Sequence, residues 1–87
     1  MKGKEKMLSD NEIIKRLTEV FQDVFDDDTL VITAETTADD IEDWDSIEHI
    51  TLIGAVEDEF GMRFKMGEVS GMNDVGEMID IIRSRGK

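Results

Sequence analysis

An 87-residue chain with no cysteine builds a single modest core, without disulfides or thiolate metal sites, and fits a reducing cytosol. Its net charge of -12 at pH 7 opposes binding to nucleic acid or anionic lipid. No apolar run approaches the length of a membrane span and no signal-peptide pattern opens the chain. A cytoplasmic location and a monomeric state are expected.

Met1-Lys2-Gly3-Lys4-Glu5-Lys6 is charged and aperiodic, and residues 1–8 read as a flexible leader before a helical domain over residues 9–87. Ser9-Asp10-Asn11-Glu12 has the form of a capping box. Behind it, Ile13, Leu17, Val20, Phe21 and Val24 recur at the period of an α-helix, which predicts a first helix over residues 10–25. Asp26-Asp27-Asp28 stops it, because carboxylates at a helix C-terminus oppose the dipole.

From Asp26 to Trp44 no helical period is sustained. Leu30-Val31-Ile32 form a short apolar patch and Ile41 a later anchor. A strand over 29–33 fits by propensity but has no second strand to pair with, so the segment is expected to be a long ordered loop. That loop should dip its apolar residues into the core. Trp44 is expected to be a partly buried anchor of the same loop.

The second helix is predicted over residues 46–59, opened by Asp43-Trp44-Asp45-Ser46-Ile47-Glu48. Asp45 is a favoured N-cap, and Glu48 three positions on makes an arrangement close to a capping box. Ser46 therefore carries its hydroxyl at the positive end of a helix, where a phosphate ester gains roughly 0.3–1 kcal/mol. The surroundings are strongly acidic. Between Asp26 and Phe60 there are thirteen Asp and Glu residues and not one Lys or Arg. Such a surface suits transient docking to basic protein patches.

Nothing near Ser46 in sequence activates it as a nucleophile. The only histidine, His49, three residues along, is expected to face solvent, and the nearest cation in sequence is Arg63. The serine reads as a place to attach something. Ile47, Ile50, Leu52, Ile53, Val56 and Phe60 give this helix a broad apolar face. Gly54 in its interior suggests close packing of another segment, and Gly61 ends it.

A short third element around residues 66–71 follows, contributing Phe64, Met66, Val69 and Met72. Asn73 is the expected cap of a last helix that buries Val75, Met78, Ile79 and Ile82 and ends on Arg83 and Arg85. Met62, Met66, Met72 and Met78 are expected to be adaptable core filler. The pattern is all-α: three long helices and one short one. No register of the acidic clusters from Asp39, Asp40 or Asp43 supplies the sixth-position glycine of an EF-hand loop, so no metal site is expected.

Over residues 9–83 the chain resembles the acyl carrier protein family. The features that carry the likeness are Asp45-Ser46-Ile47 at a helix start, Asp58-Glu59-Phe60 near its end, the acidity and the helix order. The resemblance implies a small four-helix bundle with a long loop between helices one and two. It also implies that Ser46 receives 4′-phosphopantetheine from coenzyme A through a phosphopantetheinyl transferase. The arm's thiol then holds acyl or aminoacyl intermediates as thioesters. Asp45, Ile47, Glu48 and Glu57 correspond to family positions that contact the transferase, the acyl- or aminoacyl-activating enzyme and downstream synthases. No catalytic residue is implied.

Three positions depart from the family's usual pattern: Asp43 where glycine is common, Ile47 for Leu or Met, and Thr51 where fatty-acid carriers often have Glu. The Trp-Asp-Ser sequence is similar to that of specialised stand-alone carriers in polyketide, nonribosomal-peptide and cell-surface modification pathways. Two other readings remain open from sequence. One is an acidic helical interaction module without a prosthetic group; the other is a small hydrolase using Ser46 with His49.

Overall fold

Helix α1 covers Asp10–Val24, and Ser9 starts it by accepting the Glu12 N–H at 3.2 Å. The computed structural model describes residues 9–86, so the expected leader over residues 1–8 lies outside the described residues. Beyond Phe25 the chain turns at Asp26, whose φ of 53° is left-handed and breaks the helix where the triple aspartate begins. Asp27 steadies this corner by accepting from the Thr29 hydroxyl at 2.6 Å, a bond that holds its carboxyl below the usual range.

The long connection is a loop as expected, and no strand occurs among the described residues. Ile32 and Ile41 enter the core and Leu30 is half-buried, but Val31 between them is 80% exposed. In an extended segment successive side chains alternate, so the patch cannot bury all three. The Gln22 amide donates to the Leu30 carbonyl at 3.0 Å, fixing the loop to α1. One 3₁₀ turn, Ala38–Asp40, was not legible from periodicity; the Asp40 carboxylate closes it by accepting the Thr37 N–H at 2.9 Å.

Helix α2 spans Ser46–Phe60, capped by Asp45 and ended by Gly61 at φ 59°. Helix α3, Met66–Ser70, is one turn long and draws its order from outside itself. The Glu68 carboxylate accepts the Lys65 N–H at 2.8 Å and pairs with Arg85, which keeps that carboxyl below its ordinary range. Helix α4 spans Val75–Arg85, and its cap is Asp74 rather than the expected Asn73. Asp74 accepts the Glu77 N–H at 3.0 Å, whereas the Asn73 amide donates to the Glu77 carboxylate at 3.2 Å. The first two N–H groups of α4 find their acceptors in the loop: Val75 donates to the Thr36 carbonyl at 2.9 Å and Gly76 to Ala34 at 2.8 Å.

The core is built where α1 packs on α2 and α4, around Phe21, Phe60, Leu17, Leu52 and Met78. Arg16 reinforces the α1–α2 contact, bonded to the Glu59 carboxylate at 2.8 Å with its guanidinium 4.4 Å from the Phe60 ring centre. Arg83 joins α4 to the start of α1 through Asp10 at 2.8 Å, and this hydrogen bond lowers the Asp10 pKa.

Three expectations about the core are corrected. Successive helical residues step about 100°, which puts Ile47 and Ile50 on the side of α2 opposite Leu52, Ile53, Val56 and Phe60. They are 75% and 67% exposed, so the helix is apolar on two faces rather than one. Gly54 lies on the same outer face, and a Cβ added there would meet nothing within 4 Å. No segment packs on it. Met66, at the exposed start of α3, is 87% exposed and fills no core, unlike Met62 and Met78.

Candidate functional site

Asp45 builds the local frame around Ser46. Its backbone is extended, its carboxylate accepts the Glu48 N–H at 2.8 Å, and its carbonyl accepts the His49 N–H at 2.8 Å. Two of the groups that start α2 are thus taken up by one residue. Ser46 is the first residue of the helix and is exposed; among the described residues its hydroxyl has no hydrogen-bond partner. A side chain so placed projects into solvent beside the unpaired N–H groups of a helix start, the preferred position for an anionic group.

A shallow groove of about 390 Å³ opens next to it, walled by Trp44, His49, Val69 and Met72 and reaching Asp74 at the start of α4. Trp44 is half-buried, as expected of a loop anchor. Its indole meets the Phe21 ring edge-on at 5.3 Å between centres and lies 6.3 Å from Phe25. His49 does not face solvent as expected. It is half-buried; the Trp44 Nε1–H donates to its Nδ1 at 3.0 Å, and its Nε2 lies 3.1 Å from the Val69 carbonyl. Both ring nitrogens are therefore engaged away from Ser46, which leaves the hydrolase reading without a base.

The four expected contact residues divide. Asp45, Ile47 and Glu48 sit within the first turn of α2 or at its cap, around the serine. Glu57 lies three turns away and supports the backbone there. Its Oε2 accepts the half-buried Phe64 N–H at 2.8 Å, holding the chain as it leaves Gly61. A Glu57→Ala variant should lose about 1–3 kcal/mol by leaving that donor unpaired. Urea denaturation measures this; a stability equal to wild type would make Glu57 an ordinary surface charge.

Residues 15–82 match the protein family described as a phosphopantetheine attachment site. The acyl carrier protein of Acidothermus cellulolyticus is 32% identical over 75 residues, covering 86% of this chain and 89% of its own. The chain belongs to the acyl carrier protein family. The solution NMR structure of the holo acyl carrier protein from Geobacter metallireducens is similar as well. It has a TM-score of 0.79 and 38% identity, with 84% of each chain covered. The fold expectation is borne out, as is the family resemblance. The protein is a carrier and not an enzyme, and its cofactor is covalently bound 4′-phosphopantetheine.

The site fits that group. The exposed hydroxyl of Ser46 is open to a modifying enzyme, the helix start favours a phosphate, and the groove offers an apolar wall of Trp44, Val69 and Met72. No helix among the described residues is long and apolar enough to cross a membrane. Sequence reasoning missed the pairing of Trp44 with His49. A spacing of five residues across a loop–helix junction matches neither helical nor strand period.

Proposed function

We propose that Ser46 is the residue to which this carrier's 4′-phosphopantetheine is attached. The observation that carries the reading is a solvent-exposed, unpartnered hydroxyl on the first residue of α2, with Asp45 fixing the turn around it. When bound, the group supplies a flexible thiol that holds acyl or aminoacyl intermediates as thioesters. The chain's own part is to anchor the arm on a rigid helix end, to place its phosphate at the positive end of the helix dipole, and to present a docking face.

That face is the outer side of α2. Ile47 and Ile50 form an exposed apolar strip, Gly54 leaves a flat place beside it, and Asp58 continues the line. Asp45 and Glu48 border the strip next to Ser46, with no Lys or Arg anywhere between Asp26 and Phe60. Apolar contact at the centre with charge at the rim suits partners that bear basic patches around a hydrophobic pocket. The partners are a phosphopantetheinyl transferase, an acyl- or aminoacyl-activating enzyme and downstream synthases, met in the cytoplasm by a monomeric carrier. Glu57 serves this face by holding the turn at its far end.

The test is intact-mass spectrometry after incubation with coenzyme A and a broad-specificity phosphopantetheinyl transferase. Wild type should gain one phosphopantetheine and Ser46→Ala none. No gain on wild type, or an equal gain on the variant, overturns the assignment. A partner complex that forms equally well with Ser46→Ala, together with no loading of wild type, would favour the interaction-module reading instead.

A further inference from the structure

We propose that Trp44 and His49 are positioning residues for the groove beside Ser46, acting through a latch that only a neutral imidazole can close. The proposal rests on the attachment of the arm at Ser46 for its functional meaning, but the latch itself is a property of the chain alone.

The donor inventory fixes the chemistry. An indole nitrogen can only donate, so the 3.0 Å contact makes Nδ1 of His49 the acceptor. A neutral imidazole with Nδ1 unprotonated carries its hydrogen on Nε2, which then donates to the Val69 carbonyl at 3.1 Å. The result is a chain of two hydrogen bonds. It runs from the end of the long loop, through α2, to α3. The rings of Trp44 and His49 also stack, at 5.9 Å and 29°. Through these contacts lining residues from three elements are tied together: Trp44 and His49, beside Ser46, are joined to Val69, which lines the groove with Met72.

A second proton on His49 would go onto Nδ1, where it would face the indole N–H, donor against donor. The Trp44 bond would be lost and the ring would have to turn away. Helix α3 is a single turn held also by Glu68 and Arg85, so losing the Val69 tether loosens one of its two outside supports. The titratable groups around the imidazole are acidic. Asp45 and Asp74 line the same groove from α2 and α4, Glu48 precedes His49 on α2, and Glu68 precedes Val69 on α3. The first two carboxylates cap helices, Glu68 is paired, and among the described residues none of the four bonds to the imidazole. Helix α1 contributes only aromatic rings here, Phe21 and Phe25 against Trp44.

The chain has one tryptophan, and His49 is its sole histidine, so each gives a single unambiguous NMR signal. The experiment measures indole N–H hydrogen exchange in the apo protein, for wild type, His49→Gln and His49→Ala, with circular dichroism on each sample. Glutamine can accept from the indole and donate to the carbonyl at once. At about pH 8, wild type and His49→Gln should exchange roughly two- to tenfold more slowly than His49→Ala, the factor that one hydrogen bond supplies. Equal exchange in wild type and His49→Ala, or exchange in His49→Gln as fast as in His49→Ala, would overturn the latch. In the holo protein, apo-to-holo shifts at the Val69 and Met72 amides should be present in wild type and His49→Gln and reduced in His49→Ala. If wild type loads but shows no such shifts, the groove does not hold the arm and the positioning role fails. Since the exchange experiment contains no arm, a failure to load Ser46 leaves its result standing.

Discussion

Replacing Phe21 with alanine is expected to remove about 3–5 kcal/mol of stability, the cost of emptying a fully buried aromatic site. Phe21 has no exposed surface and stands where α1 meets the long loop. It belongs to α1, touches Phe25 at the helix end with ring centres 5.9 Å apart, and receives Trp44 from the long loop at 5.3 Å. Those aromatic contacts add about 0.5–1.5 kcal/mol each to simple burial. Total stability for 87 residues is on the order of 4–13 kcal/mol, so the variant should lose at least about a quarter of it. Urea denaturation followed by the fluorescence of Trp44 reads both the loss and the release of the indole. A loss under about 1.5 kcal/mol would mean that the α1–loop contact is dispensable.

Substitutions on the outer face of α2 should do the opposite. Ile47→Ala and Ile50→Ala remove side chains that are 75% and 67% exposed, so their stability should stay within about 0.5 kcal/mol of wild type. Loading by the transferase should nevertheless suffer. Large apolar residues at the centre of a docking patch cost about 1–2 kcal/mol or more on truncation, which corresponds to roughly five- to thirtyfold in kcat/KM. Alanine is also a better helix former than isoleucine, which removes local unfolding as an explanation of any loss. Steady-state loading kinetics at fixed ionic strength decide the matter. Unchanged kcat/KM in both variants would move the docking face elsewhere. Because both isoleucines belong to one strip, the double variant is expected to lose less than the two single effects combined.

The sequence makes much of this architecture legible, and the reasons differ by element. Helix α1 and the buried half of α4 follow a clean helical period with caps, and their boundaries fall within a residue or two of prediction. Asp45 and Ser46 were readable because capping chemistry is local: the whole arrangement lies within four residues. Elsewhere the relevant partners are distant. The two apolar faces of α2 look like one broad face until the helix is wound, and only then do Ile47 and Ile50 separate from Leu52 and Val56. Asn73 and Asp74 are both good caps, and composition alone does not choose between them. The choice falls to Asp74 because the loop carbonyls of Thr36 and Ala34 fix where the first turn starts. His49 was misplaced for a related reason. Its environment is made by Trp44 across a helix start and by Val69, twenty residues downstream.

The cross-stitching of α4 to the long loop bears on how the molecule assembles. In most small helical proteins contacts are local in sequence, and the chain can collapse helix by helix within microseconds to milliseconds. Here the first amides of the last helix are satisfied by carbonyls some forty positions upstream, at Thr36 and Ala34. The final helix therefore cannot settle until an irregular segment has found its place. A Cβ on residue 76 would stand 3.0 Å from the Ala34 carbonyl, a tight approach that would push the loop back by a few tenths of an ångström. Closing that seam is therefore expected to make formation of the native state slower than the winding of its helices.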